Sequence, residues 1–212
     1  MKIKHLFGIA LSLCFSCGNK EDILLPKADK TIVKEVVDLS PIYIFFRVNE
    51  KDTLAEVNRK NSIITTNWIL NIDKRLPLRL VIPEVIKLQE KKRGEKDHVN
   101  LNAENYYSYA DSIGKNLAFL PFTNVYYKME KPKFGVIVFF DEINTISVNN
   151  VIVKREELQN YLDSLPSDKP NKFLFCFDKK MSFGIYIQNK ILIRSLKFPR
   201  PDLNLTNEEF IY

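Results

Sequence analysis

The 212-residue sequence predicts an α+β protein. Short apolar runs dense in β-branched and aromatic residues alternate with stretches whose apolar residues recur every three or four positions. Turn-forming residues break these runs at close intervals, so the elements are short and mixed. Helical spacing follows strand-like runs in each half of the chain, which divides it into two small strand–helix–strand units packed together.

In chain order, residues 17–38 read as a tether leading into the first packed element. Ile32, Val33, Val36 and Val37 are spaced for one or two helical turns. Pro41 then releases a strand over Ile42-Tyr43-Ile44-Phe45-Phe46. Asn49 to Asn61 reads as a polar connection, and Ser62 to Asp73 as a second extended stretch. From Leu78 the period changes, with Val81, Val85, Ile86 and Leu88 on one side of a helix. Pro77 suits its first turn, and Pro83 predicts a kink or a late start. Lys91 to Asn105 is the most polar stretch, which makes 39–93 the first unit and 94–130 a connecting segment. The second unit, 131–212, has its first strand over Gly135 to Phe140. Asn149-Asn150, between Thr145 to Val148 and Val151 to Val153, suits the positive φ of a tight hairpin. Leu158, Tyr161, Leu162 and Leu165 mark an amphipathic helix from Arg155. Phe173 to Phe177 is the next strand and Ser182 caps a last helix. Leu203 to Leu205 and Phe210 to Tyr212 supply a short edge strand.

Residues 1–16 read as a signal peptide. Lys2 and Lys4 form a basic start, Leu6 to Leu13 a short apolar stretch, and Ser16 places a small side chain before Cys17. The stretch falls short of the roughly 20 residues needed to cross a bilayer. The pattern resembles a bacterial lipobox, although Cys14 stands where a lipobox usually has Leu. That resemblance implies cleavage before Cys17 and lipidation of its thiol by palmitate-type chains, at roughly 0.8 kcal/mol per buried CH₂. Lys20-Glu21-Asp22 resembles the surface-export signal of flavobacterial lipoproteins. Together they imply a lipid-anchored protein of the cell envelope, at the outer membrane, on its periplasmic or its exposed face.

Loss of the signal leaves about 196 residues and lowers the net charge from +6 to about +4. That excess is mild and broken by acids, so no nucleic-acid partner is expected. With 45% hydrophobic residues, 15 Phe and 9 Tyr, a core is available. Cys176, inside Phe173-Leu174-Phe175-Cys176-Phe177, reads as a buried, inert thiol. With Cys17 lipidated it has no partner for an intramolecular disulfide.

Two segments are alike at an offset of 105 residues: Asn71-Ile72-Asp73-Lys74-Arg75-Leu76-Pro77-Leu78 and Cys176-Phe177-Asp178-Lys179-Lys180-Met181-Ser182-Phe183. Both place Asp-basic-basic-apolar between a buried strand and a helix. The strand at Val136, the Ile146-Ser147-Val148-Asn149 strand, the Glu156-Glu157-Leu158 helix and the Asp178 to Phe183 motif resemble the periplasmic domain of the ExbD/TolR biopolymer-transport family. The resemblance covers about 75 residues, and through the repeat some 45 more. It implies dimerising or docking onto an envelope partner. Family members act through a transmembrane helix bearing an acidic residue. A lipobox stands in its place here, so proton-coupled motor function is not carried over.

Asp73 and Asp178 recur at equivalent places. They are candidate partner contacts, or turn residues whose carboxylates accept backbone N–H groups. His98 has no companions at metal-ligand spacing. No nucleophile elbow, phosphate-binding glycine loop or paired zinc motif appears. No catalytic, cofactor-binding or metal residue is therefore assigned, and no cofactor is expected. Tyr106, Tyr107, Tyr109, Tyr126 and Tyr127 form either a binding platform or core packing. Asp52-Thr53-Leu54, Asp111-Ser112-Ile113 and Asp163-Ser164-Leu165 resemble O-glycosylation acceptors of the same bacterial group. The expected function is a non-catalytic binding or scaffolding module in envelope transport. Its expected partners are the membrane, an envelope protein and a second copy. The alternatives are a hydrolase with a cleft between the units, or an accessory subunit of an energy-transducing transport complex.

Overall fold

The computed structural model describes residues 22–50, 52–97, 100–166, 171–198 and 201–212, apart from the side chain of Leu203. The signal peptide, Cys17 and His98 lie outside these residues. Helices and strands are mixed in an α+β fold built on two six-stranded sheets.

The first sheet starts from β1 (Lys27–Ala28) and β2 (Leu39–Val48), which buries Ile42 and Ile44 completely. A turn at Asn49 and Asp52 leads into antiparallel β3 (Thr53–Asn58), so the polar stretch 49–61 contains a strand. Edge position explains its polarity, because an edge strand is covered on fewer sides. β4 (Asn67–Ile72) lies parallel to β2, and α1 (Leu78–Gly94) carries the chain back over the sheet to β5 (Asn105–Asp111). Pro83 is accommodated inside α1. β6 (Asn116–Pro121) returns antiparallel along β5. β1 pairs with β5 at Ala110 and Asp111, past the three residues where β4 pairs.

Residues 22–38 are thus woven into the sheet and are no free tether. Ala28 is buried, Val33 bridges to Phe119, and no helix forms over Ile32 to Val37. Nor is 94–130 a connecting segment. Residues up to 94 belong to α1, β5 and β6 complete the first sheet, and β7 (Tyr126–Lys128) joins the second. Burial of Tyr107 and Tyr109 with Asn105, Ser108 and Asp111 explains why a strand so polar in composition is a core strand.

In the second sheet, β8 (Val136–Phe140), β9 (Ile146–Val148) and β10 (Val151–Val153) form an antiparallel run. Asn149 (φ 47°) and Asn150 (φ 70°) make the expected tight turn. A 3-10 turn at Arg155–Glu157 runs into α2 (Leu158–Asp163), then β11 (Phe173–Phe177) and α3 (Phe183–Ser195). α4 (Pro201–Asn204) precedes β12 (Glu208–Ile211), which lies between β11 and β7 and is not an edge.

The strand sets β3-β2-β4-β5 and β9-β8-β11-β12 share one order and one sequence of senses: antiparallel, parallel, parallel. β4 and β11 end at Ile72 and Phe177, and α1 and α3 begin at Leu78 and Phe183, each pair 105 residues apart. One continuous core, from Ile42 and Trp68 to Phe177 and Ile211, spans both sheets and both long helices. On the other face of β11, Leu174 and Cys176 pack with Phe210.

Candidate functional site

The two strand-to-helix loops that carry the repeat meet each other. Leu78 N donates to Met181 O (2.9 Å) and Phe183 N to Leu76 O (2.8 Å). Arg79 N donates to Lys179 O (2.8 Å) and Gly184 N to Lys74 O (2.9 Å). Each bond is the image of another under the 105-residue offset, with Pro77 facing Ser182 at the centre. First-turn N–H groups have no partner inside their own helix. Here each long helix is capped by main chain from the other unit. Ser182 Oγ also accepts from Ile185 N at 3.4 Å, whereas α1 has no side-chain cap. Leu76, Leu78, Met181 and Phe183 are fully buried along this seam. Close approach also selects Gly184, where a Cβ would lie 3.1 Å from that of Lys74.

Asp73 and Asp178 make the same turn. Arg75 N donates to Asp73 Oδ1 (3.0 Å), and Lys180 N to Asp178 Oδ1 (2.7 Å). Beyond that they diverge. Asp73 is 1% exposed and also accepts from Leu24 N (3.2 Å), Arg75 Nε (2.9 Å) and Arg75 Nη2 (2.8 Å). Burial pushes its pKa up, but the bonds from Arg75 and Leu24 outweigh burial and hold it below the usual value. The Asp73 carboxylate is committed to its own loop and to Leu24, while half-buried Asp178 keeps an outward side.

A buried polar chain crosses the core. Tyr107 Oη lies 2.7 Å from Tyr127 Oη, which lies 3.2 Å from Tyr186 Oη. Tyr186 donates to Glu209 Oε2 (2.7 Å), and Lys190 pairs with Glu209 Oε1. Burial pushes all three phenols well above their usual range, so they act as neutral hydrogen-bonding groups. Of the five tyrosines singled out above, Tyr107, Tyr109 and Tyr127 are buried packing residues and Tyr126 is exposed. Glu209 and Lys190 were not foreseen. A lone Lys beside Tyr186, Ile187 and Ile191 on an apolar helix face was the available signal.

A polar cleft lies between the units, in two adjoining parts of about 300 and 350 Å³. Asp29 and Lys30 line it from the first unit, and Asn144, Arg155 and Gln188 from the second. Arg155 donates to Asn189 Oδ1 (2.7 Å) and Gln188 O (3.3 Å), and Asp29 is the cleft's one carboxylate among the described residues. At the far end of α1, Lys92 Nζ donates to Thr66 O (2.9 Å), Asn105 Oδ1 (3.0 Å) and Glu104 O (3.3 Å). It clamps the starts of β4 and β5.

Of the hydroxyls in the three Asp-Ser/Thr-apolar triplets, Ser112 donates to Ala28 O (2.9 Å) and Ser164 to Tyr161 O (2.7 Å), while Thr53 opens β3. Among the described residues, no group of three or more His, Cys, Asp or Glu is placed to hold a metal ion. No described helix is long and apolar enough to cross a membrane. No family model, curated protein or solved structure matches the chain.

Proposed function

We propose that this chain is a lipid-anchored cell-envelope protein, acting as a non-catalytic binding or scaffolding module built from two copies of an ExbD/TolR-like unit. The supporting observation is the way the N-terminal segment enters the body. Six residues separate Cys17 from Leu24, and Leu24 is stitched to the seam by Asp73 and by Lys74 N (2.7 Å). An acyl chain at Cys17 therefore holds a rigid body on a short leash, a geometry suited to display. The cleft between the units supports binding over hydrolysis, because among the described residues it offers one arginine and one carboxylate and no pair of acids for general acid–base work. An envelope partner, in transport or in an energy-transducing complex, is the expected cargo of the display.

The test is metabolic labelling with an alkyne fatty acid, followed by mild crosslinking and recovery from native envelopes beside a Cys17→Ala control. Label on the wild type alone, with recovery of a transport or outer-membrane receptor subunit, supports the proposal. Label on the control as well refutes the anchor. Recovery of nothing above the control refutes docking.

A further inference from the structure

The polar cleft between the units is built around a cation that the protein holds in place without neutralising. Arg155, at the start of the 3-10 turn, is half-buried and lines both parts of the cleft, about 300 and 350 Å³. Each part is of a size that takes a small molecule. Asn189, fully buried on α3, fixes the guanidinium by accepting from Nη1 at Oδ1 (2.7 Å). Asn144 Oδ1 accepts from the same nitrogen at 3.5 Å, and Gln188 O accepts from Nη2 at 3.3 Å. All three acceptors are neutral, so they orient the charge and leave it uncancelled. The Nε–H and the second hydrogen of Nη2 have no acceptor among the described residues. Those two N–H groups share one edge of the guanidinium, the parallel fork that a carboxylate takes bidentately.

Asp29 supplies the opposite charge. It lines both parts of the cleft from the loop after β1 and acts on Arg155 through space, across a gap wider than an ion pair. No other charged group acts on Arg155. Gln188 adds to the acceptor side: its Nε2 donates to Lys27 O (3.1 Å), which ties α3 to β1 and leaves Oε1 to accept from a ligand. The larger part also has an apolar wall, Ile191 and Leu192, with exposed Lys30 lining it as a second cation. A simple anion would leave Asp29 unanswered, and a dianion would be set against it at a cost. A ligand with a carboxylate, a neighbouring ammonium and an apolar tail answers every group.

We propose that the cleft between the units is a binding site for an apolar α-amino acid, with its carboxylate on Arg155, its ammonium toward Asp29 and its side chain along Ile191 and Leu192. This deepens the reading of the cleft as a binding site and rests on it. It does not rest on the lipid anchor.

The full chain, in mild detergent, is titrated calorimetrically with leucine, with isocaproate, which lacks the ammonium, and with isoamylamine, which lacks the carboxylate. Leucine should bind about tenfold or more tighter than either. Asp29→Asn should weaken leucine about tenfold and leave isocaproate no weaker. Arg155→Lys keeps the charge but loses the fork, and should weaken both. Lys91→Gln, in the last turn of α1 and outside the cleft, should change nothing. Circular dichroism and melting curves establish that the variants are folded. Three results overturn the proposal: no binding of leucine, isoleucine or phenylalanine up to about 10 mM, isocaproate equal to leucine, or phosphate or succinate tighter than leucine. Leucine binding that ignores both Asp29→Asn and Arg155→Lys also overturns it. Fatty-acid labelling of Cys17 and crosslinking in envelopes are scored separately, so a failed cleft is distinguishable from a failed anchor or a failed partner.

Discussion

Replacing Asp73 by Ala removes the acceptor of four donors: Leu24 N, Arg75 N, Arg75 Nε and Arg75 Nη2. Hydrogen bonds to a charged group contribute about 1.5 kcal/mol or more each, so the two backbone donors account for about 3 kcal/mol. The Arg75 ion pair adds at most about 1 kcal/mol, because its guanidinium side is 46% exposed and screened by solvent. Asp73→Ala should therefore cost about 3–4 kcal/mol. Asp178→Ala loses one backbone donor, Lys180 N, at a half-buried site, and should cost about 1 kcal/mol. For a chain of this size each kcal/mol lowers Tm by about 2–4 °C. Urea unfolding of the two variants side by side measures the difference, and amide exchange at Leu24 should accelerate only in Asp73→Ala.

The pH dependence has a definite sign. The folded pKa of Asp73 is lowered, so its contribution is present above the unfolded value of about 3.9 and is lost as pH falls through the folded one. Asp73→Ala should flatten that acid limb. Equal losses at the two positions, or less than about 1 kcal/mol at Asp73, would refute the argument that one motif has been put to two uses.

Other outcomes are equally definite. Burial draws Lys92 down to about 8, against about 10.4 in the unfolded chain. The folded protein releases that proton first, so stability should rise with pH between those values, and this rise should vanish in Lys92→Met. Gly135→Ala combines a φ of 116° with a Cβ only 2.8 Å from Leu174 Cδ1 and 2.9 Å from Lys172 O. Denaturant melts should show a loss of about 2–3 kcal/mol, and a neutral result would contradict this close approach of Gly135 to Leu174 and Lys172. Burial pushes the Cys176 thiol up to about 12, so Ellman's reagent should leave the native protein unmodified and react only on unfolding; rapid native reaction would overturn its placement. Lys190→Met strands Glu209 in the core and should cost about 3–5 kcal/mol, with partial recovery in Lys190→Met/Glu209→Gln, read from urea melts.

Where apolar residues follow one another without a break, the sequence was legible. β2, β8 and β11 are such strands, α3 carries its cap at Ser182, and the Asn149-Asn150 turn needs the positive φ that asparagine tolerates. β5 escaped because Asn105, Ser108 and Asp111 are buried with their polar partners, so its composition imitates a loop. β1 and β3 escaped for another reason: one is two residues long and the other an edge, and both exist through their neighbours' hydrogen bonds. At the site, the equivalence of Asp73 and Asp178 was visible, and so was a turn role for both. Their divergence was not, because it depends on Leu24 arriving from 49 residues away. The pairing of the two loops left no trace in residue types, since main-chain groups make it.

That main-chain seam has a consequence for how the assembly behaves as a population. Two separate units joined by these bonds would associate according to their concentration. Carried in one polypeptide, each meets its counterpart at an effective concentration fixed by the linking chain, and dilution does not part them. The helix starts stay capped whether the protein is scarce or abundant.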